Sequence, residues 1–550
     1  MRPRLSLLMV EMLIAGSVMS PVAARAQQAP AAAPITPIHH IVVIFDENIS
    51  FDHYFGTYPN AMNPEGEPSF TPLAGTPTVN GLDTALLMVN PNINPTNGTG
   101  GVNPFRLDRS QAATSDQNHN YTPEQMAFHN GLMDLFPSQV GTPEAPPLTQ
   151  PLSPLTTTAI NMGYYDGNTV TALWNYAQHF AMSDNSYDTE FGPSTPGALN
   201  LISGQLNGVI NNLNGTSAVT SGGSGSTSDI GDADPAGDVC STTTGETFSM
   251  TGTTIGDLLN AAGVTWGFYT QGFDLTVTNA NGTTGCKRST TSLITNTNKA
   301  DYIPHHEPFQ YYKSTANLTH ARPYSVTSVG QTDAANHQYD VHDFYDAVMA
   351  GNYPAVNFLK APGYQDGHAG YSDPLDEQAW IVSVINFLQQ QSGDWEHTAV
   401  VIAWDDSDGW YDHQMSPIVN QSSSPADALT GTGACGNGQN ALPGPNGVTH
   451  AQGRCGYGPR LPLLVISPWS KPNYVDHTVT DQTSIIHFIE DNWLDGQRIG
   501  SGSFDAIANS IQGMLNFTKV SVKTNYILDP TSGEPVGTAA AAGSLRTSNK

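Results

Sequence analysis

Five short apolar runs, bounded mostly by polar or turn-forming residues, stand out along the chain. They are Ile41–Phe45, Val264–Tyr269, Ala355–Leu359, Ala399–Ala403 and Leu463–Ile466. Runs of this length, rich in β-branched and aromatic residues, are typical of strands, and near-continuous apolarity is typical of strands covered on both faces. The pattern predicts a buried, mostly parallel central sheet.

Two later segments repeat apolar residues at helical spacing. They are Leu375–Gln389 and Thr483–Trp493, with Asp481 as the predicted N-cap of the second. Strands that alternate with helices favour an α/β fold in which helices flank the sheet.

The remaining segments are rich in Gly, Ser, Thr, Asn and Pro, which favours long loop-rich insertions into one domain over residues 37–520. We place these insertions at about 204–300 and 416–458. A weak strand pattern covers Val520–Ile527, and residues 528–550 are expected to form a flexible tail.

The first 26 residues have the pattern of a signal peptide. Arg2 and Arg4 precede a mostly apolar stretch, and Ala24–Ala26 provides small residues for cleavage. No later segment approaches the roughly 18 apolar residues of a membrane span. We therefore expect a periplasmic or secreted protein without a stable membrane span.

Four cysteines follow this leader, and none has Cys-x-x-Cys spacing, which disfavours a zinc ribbon. In an oxidising compartment an even number favours disulfides. Of the three possible connectivities, the simplest joins Cys240 to Cys286 and Cys435 to Cys455.

The overall charge disfavours one class of partner. The chain has 19 Lys and Arg against 48 Asp and Glu, a formal net charge of -29. A polyanionic backbone would be repelled, so nucleic acid is not an expected partner.

Ligand-type residues follow three of the predicted strands: Asp46–Asn48, Lys360–Pro362 leading to Asp366–His368, and Trp404–Asp406. Glu47 and Asn48 come just after the first strand, and Asp405 and Asp406 after the fourth. The carboxyl ends of parallel strands meet in one crevice, where clustered carboxylates repel one another unless a cation neutralises them. Either pair alone could instead cap a loop or helix, but both together indicate a divalent metal site.

A hydroxyl with nucleophilic potential precedes another predicted helix. In the segment Glu190–Ile202, Ser194 lies just before the helix and Pro196 suits its first turn. A helix start presents N–H groups to an anion, which suits attack on phosphorus. An ordinary serine N-cap is the alternative reading, and Thr195 is the rival nucleophile.

Histidines in loop-like settings supply candidate phosphate contacts and proton donors. They are His119, His305, His306 and His368.

Several motifs resemble one known family. The run IHHIVVIFDENISFDHYFG, from Ile38 to Gly56, resembles the opening signature of the bacterial phosphoesterase family that contains phospholipases C and acid phosphatases. Similar matches occur at Asp405–His413, at Gly458–Pro462 with Ser467–Trp469, and from Asp476 to Glu490.

The resemblance implies an alkaline phosphatase-like α/β core and a phosphoesterase catalytic domain. It implies one divalent metal ion, with calcium, magnesium, manganese and zinc all open, and Ser194 as the nucleophile. The implied metal ligands are Glu47, Asn48, Ser194, Asp405 and Asp406. The implied substrate-binding residues are Asn48, His119, His305, His306 and His368, with His305 or His368 as the catalytic proton donor.

Two departures favour the acid phosphatase branch. Ile49 stands where relatives often carry Arg or His, and Gly197-Ala198 replaces the Asn-Arg of phospholipase C members. We therefore expect an exported, metal-dependent enzyme that hydrolyses a broad range of small phosphate monoesters through a phosphoserine.

Three other functions compete with this expectation. A phospholipase C would use the same site on phospholipid, and a non-catalytic calcium-binding surface protein would explain the acidic composition. A conventional serine hydrolase is disfavoured, because the surroundings of Ser194 lack Gly-x-Ser-x-Gly.

Overall fold

The structure is a computed structural model that describes residues 32–144, 157–223, 225–436, 451–518 and 525–536. The predicted signal peptide, the first residues of the weak strand at 520–527 and the end of the expected tail lie outside the described residues.

A nine-stranded central sheet organises the fold. Its strands are β1 (His40–Asp46), β2 (Ala181–Tyr187), β3 (Trp266–Thr270), β4 (Gln338–Tyr339), β5 (Val356–Lys360), β6 (Thr398–Trp404), β7 (Arg460–Ile466), β8 (Tyr474–Asp476) and β9 (Thr480–Asp481). Their order is β4-β3-β5-β1-β6-β7-β2-β8, and β9 also pairs with β2. All five predicted strands are confirmed as members of this sheet.

One strand runs against the expected direction. β7 pairs antiparallel with both β6 and β2, whereas the other pairings of the sheet are parallel. The sheet is therefore mostly parallel, as predicted, but β7 is an exception. As a consequence Arg460, the first residue of β7, lies at the edge where the other strands end.

Helices cover both faces of the sheet. The helices of the described residues are α1 (Phe51–Phe55), α2 (Thr84–Met88), α3 (Tyr121–Phe128), α4 (Phe136–Gln139), α5 (Thr171–His179), α6 (Ser194–Ser203), α7 (Ile255–Ala262), α8 (Val341–Met349), α9 (Pro374–Gln391) and α10 (Thr483–Trp493), of which α3 and α4 pack in a separate cluster and α2 is not buried. Alternate residues of β1 enter opposite cores: Val42 and Ile44 pack with α1, α5, α8 and α9, whereas Ile41, Val43 and Phe45 pack with α6, α7 and α10. This two-sided burial explains the near-continuous apolar pattern of the strands and confirms the α/β prediction.

Both predicted helices are present as α9 and α10, but the predicted cap of α10 is off by one residue. The N-cap is Gln482, and the Asp481 carboxylate instead accepts the Thr483 hydroxyl at 2.9 Å. The predicted pattern located the helix, while local side-chain hydrogen bonding set its first residue.

The segment 204–300 combines peripheral and core structure. Short strands lie at Val209–Leu213, Val219–Gly223, Ser226–Asp229, Asp234–Pro235, Thr247–Met250, Ser289–Thr291 and Asn298–Ala300. The same segment contains α7 and β3, so the chain returns to the central sheet within it. Elsewhere, Phe105–Arg106 pairs with Gly163–Tyr164. Disulfides join Cys240 to Cys286 and Cys435 to Cys455, which confirms the simplest pairing.

The beginning of the expected tail is packed. Leu528 is fully buried, and its carbonyl accepts the Asn386 amide of α9 at 2.8 Å. The Gly533 carbonyl accepts the Asn175 amide of α5 at 2.9 Å. Residues 528–536 therefore form part of the fold, in contrast to the expectation. Across the described residues, no helix combines the length and apolarity that crossing a membrane requires.

Candidate active site

Side chains from three separate segments meet at the carboxyl edge of the sheet. The Ser194 hydroxyl lies 2.9 Å from Glu47 Oε2, 3.2 Å from Asp406 Oδ2 and 3.4 Å from Asn48 Oδ1. Together with Asp405, these residues form a buried group that we call the oxygen cluster. The strand-end prediction thus placed distant residues together correctly, although their roles stay predictions.

The loops that carry the oxygen cluster brace each other. Asp405 Oδ1 accepts the backbone N–H groups of Asn48 at 2.9 Å and Asp406 at 2.8 Å. Asn48 has a φ of 67°, a left-handed conformation that asparagine tolerates better than most residues. Its Nδ2 lies 3.4 Å from Asp408 Oδ1, which turns Oδ1 toward Ser194.

The helix that carries Ser194 packs very closely against the backbone of Asp405. Ser194 is the first residue of α6, and Pro193 is the N-cap, so Ser194 is not an ordinary capping serine. Pro196 lies in the first turn, as predicted. A Cβ atom on Gly197 would lie 2.0 Å from the Asp405 carbonyl oxygen, so only glycine permits this approach of α6.

The oxygen cluster fits a hard divalent cation. A hydroxyl carries one proton, so Ser194 can donate to only one of its three oxygen neighbours. Asp405 Oδ2 is buried and, among the described residues, has no hydrogen-bond partner. An all-oxygen donor set with crowded, unpaired oxygens is the kind of site that calcium, magnesium or manganese occupies.

Charges in the cluster are incompletely compensated. Burial raises the pKa of Glu47 well above its usual range, and Asp405 adds to the increase. Burial raises the pKa of Asp406 as well. Glu47 Oε1 contacts the Lys360 ammonium and lies 3.1 Å from His306 Nδ1. Lys360 lies at one of the strand ends that the sequence analysis singled out, but no role in the site was predicted for it.

A cavity of about 500 Å³ opens beside the oxygen cluster. Its walls comprise Asp116, Gln117, Asn118, His119, Asn120, Thr142, Asp232, Lys299, His305, His368 and Tyr371. His119 Nε2 lies 3.5 Å from Asn48 Nδ2, which connects the cavity to the cluster. We call this space the histidine cavity.

The predicted histidines divide between two places. His119, His305 and His368 line the cavity, whereas His306 is buried against Glu47 behind the oxygen cluster. Burial lowers the pKa of His119, but Asp406 and Asp408 outweigh it and leave the pKa raised. Burial lowers the pKa of His368. The cavity therefore combines an imidazole with a raised pKa, His119, and one with a lowered pKa, His368.

Three further residues were missed by the sequence analysis. Asp408 Oδ1 lies 3.0 Å from His119 Nδ1, and Asp232 Oδ1 accepts the Thr195 backbone N–H at 2.9 Å. Lys299 lies 3.6 Å above the Tyr371 ring at the cavity wall. Asp408 belongs to the carboxylate run and could have been found, whereas Asp232 lies in a loop and Lys299 in a short peripheral strand, neither with a distinctive pattern.

A second set of possible metal ligands lies in the cavity wall. Atoms of Asp116, His119, His368 and Asp408 lie within 4.8 Å of one another. The structure thus contains more than one group of residues able to hold a metal ion.

A different carboxylate group lies a few residues further along the same motifs. Arg460 Nη2 lies 3.0 Å from Asp52 Oδ1 and 3.1 Å from Asp412 Oδ1, and His413 Nδ1 lies 2.6 Å from Asp52 Oδ2. Burial raises the pKa of Asp52, but His413 and Arg460 outweigh it and leave the pKa lowered. Burial raises the pKa of Asp412 despite Arg460. We call these four residues the arginine cluster.

The α/β sheet gathers a serine and carboxylates at its strand ends. The sequence model of the Phosphoesterase family matches residues 38–494, and the chain belongs to this family.

Curated relatives include three phospholipases C. A non-hemolytic phospholipase C of Pseudomonas aeruginosa is 25% identical over 461 residues, which cover 82% of this chain and 53% of the relative. One of Burkholderia pseudomallei is 26% identical over 88% of this chain and 60% of the relative. Phospholipase C A of Mycobacterium tuberculosis is 24% identical over 84% of this chain and 74% of the relative. The chain thus spans little more than half the length of the first two.

Solved structures with some likeness include murine ectonucleotide pyrophosphatase/phosphodiesterase 5. It is 11% identical, with a TM-score of 0.29 over 63% of this chain and 95% of that one. A Vibrio parahaemolyticus protein in the alkaline phosphatase superfamily is 12% identical, with a TM-score of 0.26 over 77% and 78% of the two chains. Such scores bear no weight on function.

Proposed function

We propose that the chain is a metal-dependent phosphoesterase that hydrolyses small phosphate monoesters through Ser194. One observation carries the proposal: the Ser194 hydroxyl lies among three carboxylate or amide oxygens, next to a cavity lined by histidines. A nucleophile, an all-oxygen donor set and anion-binding groups therefore share one place.

Glu47, Asn48, Asp405, Asp406 and the Ser194 hydroxyl would hold one divalent cation. When bound, the cation supplies Lewis-acid character that favours the deprotonated serine. The oxygen donors favour a hard cation such as calcium, magnesium or manganese.

The chain's own residues supply the nucleophile and stabilise the charge on the phosphoryl group. Ser194 Oγ forms a bond to phosphorus as the bond to the ester oxygen breaks, which gives a phosphoserine and a leaving alcohol. His119, His368 and Asn48 Nδ2 contact the phosphoryl oxygens and stabilise the charge that develops there. Water then attacks phosphorus, releases phosphate and restores the serine.

His305 is the proposed proton donor to the leaving alcohol. It lines the cavity, and its Nδ1 lies 3.5 Å from Asp234 Oδ1, so a carboxylate orients the ring. The other predicted donor, His368, has its Nδ1 engaged with the Ala369 carbonyl at 2.6 Å, and its lowered pKa keeps the ring neutral.

The cavity walls support the monoester as substrate. Nearly all the lining side chains are polar or charged, and Tyr371 supplies the main aromatic surface. Such walls suit a small hydrophilic ester better than acyl chains. The phospholipase C relatives favour the second candidate, in which the same serine cleaves phospholipid head groups.

A paired assay tests the proposal. Initial rates with p-nitrophenyl phosphate and with phosphatidylcholine vesicles would be compared at equal metal concentration. We expect a kcat/KM at least 100-fold higher for the monoester. The reverse ratio would establish the phospholipase instead, and metal binding without cleavage of either ester would indicate a calcium-binding protein.

Export to the periplasm or the medium is part of the proposal. The two disulfides support it, because they form readily in an oxidising compartment. Fractionation of cells that express the full chain would test it, with loss of the first 26 residues as the expected result.

A further inference from the structure

A second cluster of ligand-type side chains lies at the opposite edge of the sheet. His39 precedes β1, and Asp394 and His397 precede β6, so all three lie at the amino ends of these strands. Possible ligand atoms of the three lie within 4.8 Å of one another. The seven residues of β1 separate this surface triad from the oxygen cluster by about 20 Å, at roughly 3.3 Å per residue.

The backbone fixes the spacing of the two imidazoles. The His39 N–H donates to the His397 carbonyl at 2.8 Å, so the two residues are neighbours across the extension of the β1–β6 pair. Their rings stack with centroids 4.2 Å apart and planes 7° from parallel. The two imidazoles therefore lie side by side on backbone that the strand pairing already fixes.

One carboxylate faces both rings. Asp394 Oδ1 lies 2.5 Å from His397 Nδ1, and Asp394 Oδ2 lies 3.8 Å from His39 Nδ1. From the protein side, His40 Nε2 lies 3.2 Å from Asp394 Oδ2, and the His40 ring stacks on Tyr353. His40 thus holds the carboxylate in place, as outer residues do for ligands of a metal.

We propose that His39, Asp394 and His397 bind a zinc ion at the surface of the protein. Two imidazoles and one carboxylate are donors that zinc accepts at about 2.0–2.2 Å, with water in the fourth position. Calcium and magnesium prefer all-oxygen sites, so the triad and the oxygen cluster differ in metal preference. The three side chains are 46%, 36% and 37% exposed, which lets them adjust and lets water complete the shell.

Zinc at this place would connect the start of β1 to the turn that leads into β6. It lies too far from Ser194 to take part in ester cleavage. The inference therefore does not rest on the proposed function.

Counting bound zinc in the full chain tests the inference. Zinc would be added in excess, unbound metal removed by gel filtration, and the protein analysed for zinc per chain. We expect His39→Ala combined with His397→Ala to bind one zinc fewer than the wild type, with unchanged hydrolysis of p-nitrophenyl phosphate. His39→Ala alone should weaken that zinc at least 10-fold. Both side chains are exposed, so folding should be preserved.

Two comparisons make the test specific. His129→Ala removes a similarly exposed imidazole, 2.7 Å from Asp134, that lacks a second histidine, and it should bind as much zinc as the wild type. Asp405→Asn alters the oxygen cluster and should retain the surface zinc. An unchanged zinc count in the double variant, or an equal loss in His129→Ala, would overturn the proposal.

Discussion

The oxygen cluster and the arginine cluster arise from the same two motifs and lie at the same edge of the sheet, yet they differ in their compensating charge. Glu47 and Asp52 are five residues apart, and Asp406 and Asp412 are six apart. In the arginine cluster, Arg460 contacts both aspartates. In the oxygen cluster, the Lys360 ammonium contacts Glu47 alone among three carboxylates.

The difference separates structural charges from functional ones. Arg460 supplies a permanent cation that compensates its two carboxylates, which join α1 to the loop after β6. Within the described part of the chain, the oxygen cluster keeps an unpaired acceptor, Asp405 Oδ2, that a metal ion can use. Burial alone does not distinguish the two, because all five aspartates and glutamates are nearly inaccessible.

The largest effect should come from the hydroxyl that only the oxygen cluster possesses. Ser194→Ala should lower turnover about 10⁴-fold or more, because no other group replaces a covalent nucleophile. Steady-state rates with p-nitrophenyl phosphate measure the change. Thr195→Val keeps the shape of the rival residue and should remain active, and the opposite pattern would transfer the role to Thr195.

Removing the Arg460 guanidinium should destabilise the whole fold rather than lower catalysis selectively. Arg460→Met leaves Asp52 and Asp412 buried without their partner and should lower the free energy of unfolding by about 3–5 kcal/mol. Urea denaturation measures this value. Lys313→Met changes an exposed cation and should shift stability by under about 0.5 kcal/mol. A small effect of Arg460→Met would show that the arginine cluster contributes little to the stability of the fold.

A bound metal ion should stabilise the protein through the oxygen cluster and not through the arginine cluster. A cation at 100 times its dissociation constant should raise the free energy of unfolding by about 2.7 kcal/mol after chelator treatment. Asp405→Asn keeps the Oδ1 acceptor for the two loop N–H groups but removes the charge, and should abolish most of the gain. Thermal unfolding with and without calcium or manganese measures it. An equal gain in the variant would exclude Asp405 as a ligand.

A third way of holding a buried carboxylate is to keep it protonated. Glu377 accepts hydrogen bonds from Tyr54 and Trp404, and burial raises its pKa to about 8. Because the folded pKa exceeds the unfolded value of about 4.3, this contribution to stability is complete below pH 4.3 and is lost as the pH rises through 8. Glu377→Gln should remove most of the fall in stability that this carboxyl group causes between these values. Urea midpoints at pH 5 and 8 measure the slope, and an unchanged slope would assign the loss to other acids.

The sequence predicted the sheet where its strands are uniformly apolar and failed where they are not. β2 was missed because Ser183, Asp184, Asn185 and Ser186 occupy four of its seven positions. Local hydrogen bonds compensate for those polar groups: Asp184 Oδ2 accepts the Asn80 N–H at 2.7 Å, and Ser183 Oγ accepts the Asn185 N–H at 3.1 Å. The direction of β7 could not be read, because an apolar run looks the same in both directions.

The candidate site was predictable where its residues directly follow strands of the parallel sheet, because such residues meet at one edge. Glu47, Asn48, Asp405 and Asp406 follow strands and lie together, and Ser194 joins them through α6. The histidine doublet could not be resolved, because neighbouring residues in a short turn point to different surroundings.

The contact of Gly197 with the Asp405 carbonyl has a practical consequence for redesign. A larger residue at this single position would act as a wedge between α6 and the loop after β6. Any side chain would push α6 outward and separate the serine from the carboxylates before it could contact a substrate. Changing specificity at this place requires moving the loop after β6 and the helix together.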